Sequence, residues 1–186
     1  MERLLALDIS SSTIGWAILN IDDNQVLTLP YMGYLKPPKK AKGSMSLRLS
    51  YAYDEIQNLI EMYEVTDVVV EAYAKRFTKG RSSANTIIVL STFNEVCSLA
   101  AYQKLGKDTF SYPVISIRAA LSKHFGFKIM SKDDIFPVIN KYCKNFRPEL
   151  NRNKKIREES GDVADAISVG LTHILKESKA ISKWDI

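Results

Sequence analysis

The sequence predicts an α/β fold built on a mixed sheet. Three strand-like runs follow one another closely at the start of the chain, and the rest alternates helical and strand patterns. Residues 4–9 form a short apolar run that carries Asp8 near its end. Residues 15–21 and 26–35 follow across the polar turns Ser10-Ser11-Ser12 and Asp22-Asp23-Asn24, as in an antiparallel meander. Residues 44–63 place Leu49, Tyr53, Ile56, Leu59, Ile60 and Tyr63 at three- and four-residue steps, which predicts a helix. Residues 67–71, Asp-Val-Val-Val-Glu, read as a buried strand. Residues 82–105 predict a long helix that is apolar on most of its circumference. A fifth strand is expected over 112–117, helices over 117–125 and 132–142, and a last helix over 161–176. The expected architecture is therefore one domain, residues 1–186, with a five-stranded mixed sheet flanked by helices.

Composition narrows the function classes. Of 186 residues, 46% are hydrophobic and 25% charged, enough for a packed core and unlike a disordered chain. Uninterrupted apolar runs such as residues 87–90 are too short to cross a bilayer, and the N-terminus lacks a signal-peptide pattern. No membrane association is expected. Cys97 and Cys143 lie apart in apolar segments and read as buried free thiols of a reducing compartment, which points to the cytoplasm. The net charge of +5 favours a polyanionic partner. Basic residues gather at 36–42, 75–81 and 147–157, all in loop-like segments.

Four acids stand out by position. Asp8 and Glu71 close strands, where side chains reach the crevice at the edge of an α/β sheet. Asp162 and Asp165 are three apart at the start of the last helix and face the same way. Taken singly, each has an ordinary explanation: a turn former, a solvated strand end, or acids favoured by a helix dipole. Gathered together they would repel one another, and a divalent cation removes that cost. Magnesium, with manganese as a substitute, suits such hard oxygen ligands. Two ions about 4 Å apart are a known device for phosphodiester hydrolysis. In the last helix, Val163, Ile167, Leu171 and Ile174 form an apolar stripe, with the two aspartates roughly 150° away from it.

At these residues the sequence resembles the RuvC family of Holliday junction resolvases, which have a ribonuclease-H-like fold. The run from Leu5 through Asp8 to Gly15 resembles the family's first motif, Val69-Val-Glu71 the second, and Gly161-Asp162-Val-Ala-Asp165 the closing one. Ser116-Ile-Arg118 and Ser131-Lys132-Asp-Asp-Ile resemble the stretch before the final acids, where the family carries an important lysine. The resemblance implies catalytic and metal-binding roles for Asp8, Glu71, Asp162 and Asp165, and a catalytic role for Lys132. It implies DNA contacts by Tyr73, Lys75, Arg76, Phe77, Lys79, Arg81 and Arg118. It implies a homodimer through the 82–105 helix, acting on four-way and other branched DNA. Ser10 stands where bacterial members usually have Pro-Gly, and neither Tyr73 nor Phe77 falls at the family's usual aromatic offset. Compact, divergent members of this kind occur in bacteriophages, which suggests a phage origin and the cytoplasm of an infected host.

Two other classes share some of these features. A nuclease of the same fold acting on flaps, forks or RNA–DNA hybrids would carry the same acids. An actin-like ATP-binding domain would resemble the Asp8–Gly15 loop. It would also need a second, glycine-rich phosphate loop and a duplicated domain, which eight glycines and 186 residues do not show. No nucleotide cofactor is expected.

Overall fold

The computed structural model describes residues 1–73, 84–177 and 181–186. The expected DNA contacts at Lys75, Arg76, Phe77, Lys79 and Arg81 lie outside these residues, as does the side chain of Lys132.

The sheet is mixed and six-stranded. β1 (Glu2–Ile9), β2 (Ile14–Ile21) and β3 (Val26–Leu35) form the expected antiparallel meander. β4 (Asp67–Ala72) pairs parallel to β1, and β5 (Phe110–Pro113) parallel to β4. A sixth strand, β6 (Lys183–Asp185), joins the far edge parallel to β3. Three residues, Lys-Trp-Asp, are too few to give a sequence period. The order is β5-β4-β1-β2-β3-β6.

Helices cover both faces. Side chains alternate sides along a strand, so a strand covered twice must be apolar at every position. β1 meets that demand from Leu4 to Leu7. Leu5 and Leu7 pack with α1 (Met45–Met62) and α2 (Ala84–Leu105). Leu4 and Ala6 pack on the other side with α3 (Val114–Phe125), α4 (Ile135–Tyr142) and α5 (Glu158–Lys176). Both cysteines are buried free thiols, and burial pushes each pKa up to about 12.

Several local boundaries differ from expectation, each for a physical reason. The fifth strand stops at Pro113, and residues 114–117 are helical, because Pro113 with its extended backbone serves as the N-cap of α3. The 132–142 segment splits into a 3-10 turn, Lys132–Asp134, and α4. Pro137 then falls in the first turn of α4, where a missing N–H breaks no helical bond. α5 begins at Glu158, so Asp162 and Asp165 lie in its second turn. Glu158 and Glu159 supply the acids of the first turn. The helix is also buried around nearly its whole circumference rather than along one stripe.

α2 corrects the reading of uninterrupted runs. By length and composition it is apolar enough to cross a membrane. Its polar residues come in ones and twos, which break up the apolar runs and still leave the helix apolar as a whole. Phe93, Cys97, Ala100 and Ala101 face the core. Ile88, Leu99 and Tyr102 are exposed at 61%, 49% and 50%. At 100° per residue these three fall within one narrow stripe.

Candidate metal centre

The register of β1 determines where the acids meet. Asp8 follows Leu4 and Ala6 on the face covered by α5, and its partner across the antiparallel pair is Gly15. Opposite residues in such a pair share a face, so Gly15 also looks toward α5. A methyl group there would run into the Asp162 carbonyl and come within 2.9 Å of the Val163 amide nitrogen. Glycine thus lets the helix backbone rest on β2 beside Asp8. Two turns further along, Gly170 repeats the arrangement, since a Cβ on it would lie 2.5 Å from Leu19 and 3.0 Å from Ala6.

The close approach brings three carboxylates together. One ligand oxygen each from Asp8, Asp162 and Asp165 lies within 4.8 Å of the others. Asp165 is only 5% exposed, while Asp8 and Asp162 are half-buried. Hard anionic oxygens held this close and this dry suit a small divalent cation, which offsets their mutual repulsion. The donor set therefore fits the metal expected from the sequence.

Glu71 joins this face but not the tight group. Register pairs Leu7 with Val70, so Asp8 and Glu71 are each the next residue on neighbouring parallel strands. Val69 packs on the α5 side, which gives Glu71 the same side. Its carboxylate lies outside the 4.8 Å cluster. Its carbonyl accepts a 3.0 Å hydrogen bond from the buried Asn94 amide, which ties α2 to the end of β4. Tyr73, just beyond, is half-buried and lines a hollow with Asn94, Ser98 and Tyr102.

The surrounding turns are well braced. The Ser10 hydroxyl accepts from the Thr13 amide at 3.0 Å and donates to the Thr13 carbonyl at 2.7 Å. Serine therefore closes the β1–β2 turn without Pro-Gly. Arg48 of α1 donates to the Ser11 carbonyl at 3.1 Å and sits over the Phe93 ring. Arg118 donates to the Met130 carbonyl at 2.9 Å, and Asp134 accepts from the Met130 and Ser131 amides. These bonds hold the backbone of the turn that opens at Lys132.

Sequence reasoning missed the bracing at the start of α5. Glu159, buried, accepts from Lys36 at 2.7 Å and from Arg157 at 3.1 Å. Arg157 also reaches Glu149 at 2.9 Å. The Lys36 hydrogen bond, reinforced by Arg157, draws the Glu159 pKa down to about 2. A depressed carboxylate stabilises the fold above its unfolded value, and that stabilisation is lost as pH falls through the folded value. Glu159→Gln should therefore remove part of the rise in stability between about pH 2 and 4.5. Urea unfolding at several pH values measures this, and identical slopes for both proteins would refute it.

A mixed sheet with helices on both faces thus brings acids of its central strand and last helix together. No family model matches the chain. Its sequence is 24% identical over 174 residues to the crossover junction endodeoxyribonuclease RuvC of Dictyoglomus thermophilum, covering 94% of this chain and 97% of the relative. It is 23% identical to that of Finegoldia magna, with 92% of each chain covered. T. thermophilus RuvC in complex with a Holliday junction superposes with a TM-score of 0.68 at 13% identity over 95% of each chain. The yeast mitochondrial Holliday junction resolvase Ydc2 gives 0.64 at 10% identity, covering 96% of this chain and 80% of that one. The chain is similar to RuvC in sequence along nearly its whole length and shares the fold of these resolvase structures.

Proposed function

We propose that this protein is a divalent-metal-dependent endonuclease that resolves four-way DNA junctions by paired phosphodiester hydrolysis. The observation that carries the proposal is the Asp8, Asp162 and Asp165 cluster, in a chain similar to RuvC nucleases along nearly its whole length. Asp8, Asp162 and Asp165, with Glu71 beside them, would hold two magnesium ions, for which manganese can substitute. Bound ions of this kind polarise the phosphate and acidify water. The rigid seat of α5 on Gly15 keeps the carboxylates from reorienting. Lys132 would stabilise charge on the scissile phosphate. Tyr73 and Phe77 would stack on opened bases, and Lys75, Arg76, Lys79, Arg81 and Arg118 would contact phosphates. Other branched DNAs would be cut by the same centre. The enzyme would act in the cytoplasm, that of a phage-infected host included.

The direct test incubates purified protein with magnesium and end-labelled four-way, three-way, flap and linear DNAs. Paired nicks at symmetric positions of the four-way junction are expected. Equal cutting of linear duplex would overturn the proposal, and selective cutting of flaps would favour the fork nuclease instead.

Paired nicking calls for two identical sites related by two-fold symmetry. The exposed Ile88, Leu99 and Tyr102 stripe on α2 supports a homodimer on this helix. Ile88→Glu with Leu99→Glu should yield a monomer that nicks one strand but no longer makes coordinated pairs of cuts. Sedimentation at micromolar concentration checks the first point, and a wild-type protein that is monomeric both free and on junction DNA would refute the dimer.

A further inference from the structure

A second surface on this molecule has the chemistry of a nucleic-acid site. At the C-terminal ends of α3 and α4, aromatic rings gather at the edge of the core, with Phe125 and Trp184 packed against it and others reaching outward. Phe125 and Tyr142 stack at 4.6 Å, and Phe127 lies nearly parallel to Tyr142 at 6.5 Å. His124 stacks on Trp184 of β6 at 4.4 Å. Phe127 and Tyr142 stay 39% and 37% exposed, more than rings that only close a core. Three hollows of 270, 400 and 670 Å³ adjoin here. Tyr142 is shared by the first two and His124 by the last two, so they form one trough.

The charge along this trough is one-sided. Among the described residues lining the three hollows, five are lysines: Lys123, Lys128, Lys141, Lys144 and Lys176. All five are exposed. The single acidic side chain among them, Asp134, already accepts hydrogen bonds from the Met130 and Ser131 amides. Lys141 lies 4.9 Å over the Tyr142 ring. Lysines beside accessible rings match a polyanion whose bases present free faces. Duplex DNA keeps those faces stacked inside, whereas a single strand offers them. One end of the trough borders the turn that opens at Lys132, through Asp134, and the other runs away from the acids. Lys176, on its rim, is fourteen residues beyond Asp162 on one helix, about 20 Å along the axis.

We propose that this trough binds single-stranded DNA, independently of the carboxylate centre. Because it does not depend on cleavage, it can be tested apart from the nuclease reading. Fluorescence anisotropy of a labelled oligothymidine with the full chain, in EDTA so that nothing is cut, provides the measurement. Lys141→Ala with Lys144→Ala should weaken binding about tenfold and lower the salt slope by about 1.4, the value for two single-strand phosphate contacts. Tyr142→Ser should weaken it about as much, while Tyr142→Phe, which keeps the ring, should bind like the wild type. Lys39→Ala with Lys40→Ala removes equal charge from a 3-10 turn beyond β3 and should have little effect. The lysine pair keeps every ring and its stacking on other rings, so a folding defect in the Tyr142→Ser protein does not decide the outcome. Equal losses from both lysine pairs would overturn the proposal, as would one-for-one displacement of the oligonucleotide by an unlabelled four-way junction.

Discussion

Asp165→Asn should leave junction binding intact and slow cleavage at least about a thousandfold, a barrier increase of roughly 4 kcal/mol. Asparagine fills the same space as aspartate but lacks the charge. At 5% exposure the position admits little water to replace the lost ligand oxygen. Asp8→Asn and Asp162→Asn should behave alike, because each removes one member of the same 4.8 Å cluster. Glu71→Gln also removes a carboxylate from this face and should abolish cleavage. Its side chain starts one strand away and its carboxylate stands outside the tight group, so a partial rescue at high magnesium would be a distinguishing mark. Loss of repulsion between carboxylates and phosphates should make binding no weaker in any of these variants. Single-turnover cleavage and a gel-shift titration separate the two effects. Near-normal cleavage by the Asp165→Asn protein would rule out the cluster as the reaction centre.

Much of this centre was legible because it rests on short-range patterns. The continuous apolar run of β1 and its turn into β2 are written in consecutive residues, and so is the position of Asp8 near the end of the run. The three-residue spacing of Asp162 and Asp165 held as well. What sequence could not supply was contact between distant segments. Glu159 finds Lys36 across 123 positions, and nothing local to either residue announces the pair. Without that pair, the polar stretch before Gly161 looked like loop, so α5 was expected to begin three residues late. β6 escaped notice for a related reason, since three residues pair only because β3 offers a free edge. The burial of α5 on all sides was equally hidden. Ala164, Ala166 and Gly170 look neutral on a helical wheel, yet their small size is what admits β1, β2 and the neighbouring helices.

Among the described glycines, Gly15 should be the one where an alanine does most damage. Most overpacking is eased by a side chain changing rotamer, but here the obstacle is the backbone of α5 at Asp162 and Val163. Only a shift of the whole helix can relieve it, and Gly170 seats that helix against Leu19 and Ala6 two turns away. The expected loss of stability is about 3 kcal/mol, the upper end for an added methylene in a packed core. Cleavage should fall further than stability alone explains, because the shift carries Asp162 and Asp165 away from Asp8. Gly161→Ala provides the contrast. A Cβ there meets nothing within 4 Å, and the position is helical, so alanine should stabilise by up to about 1 kcal/mol. Urea unfolding of both variants should therefore move the midpoint in opposite directions. Cleavage by the Gly15→Ala protein, measured under conditions where it is fully folded, completes the test. A Gly15→Ala protein with wild-type stability and rate would mean that α5 does not rest on β2 at this point.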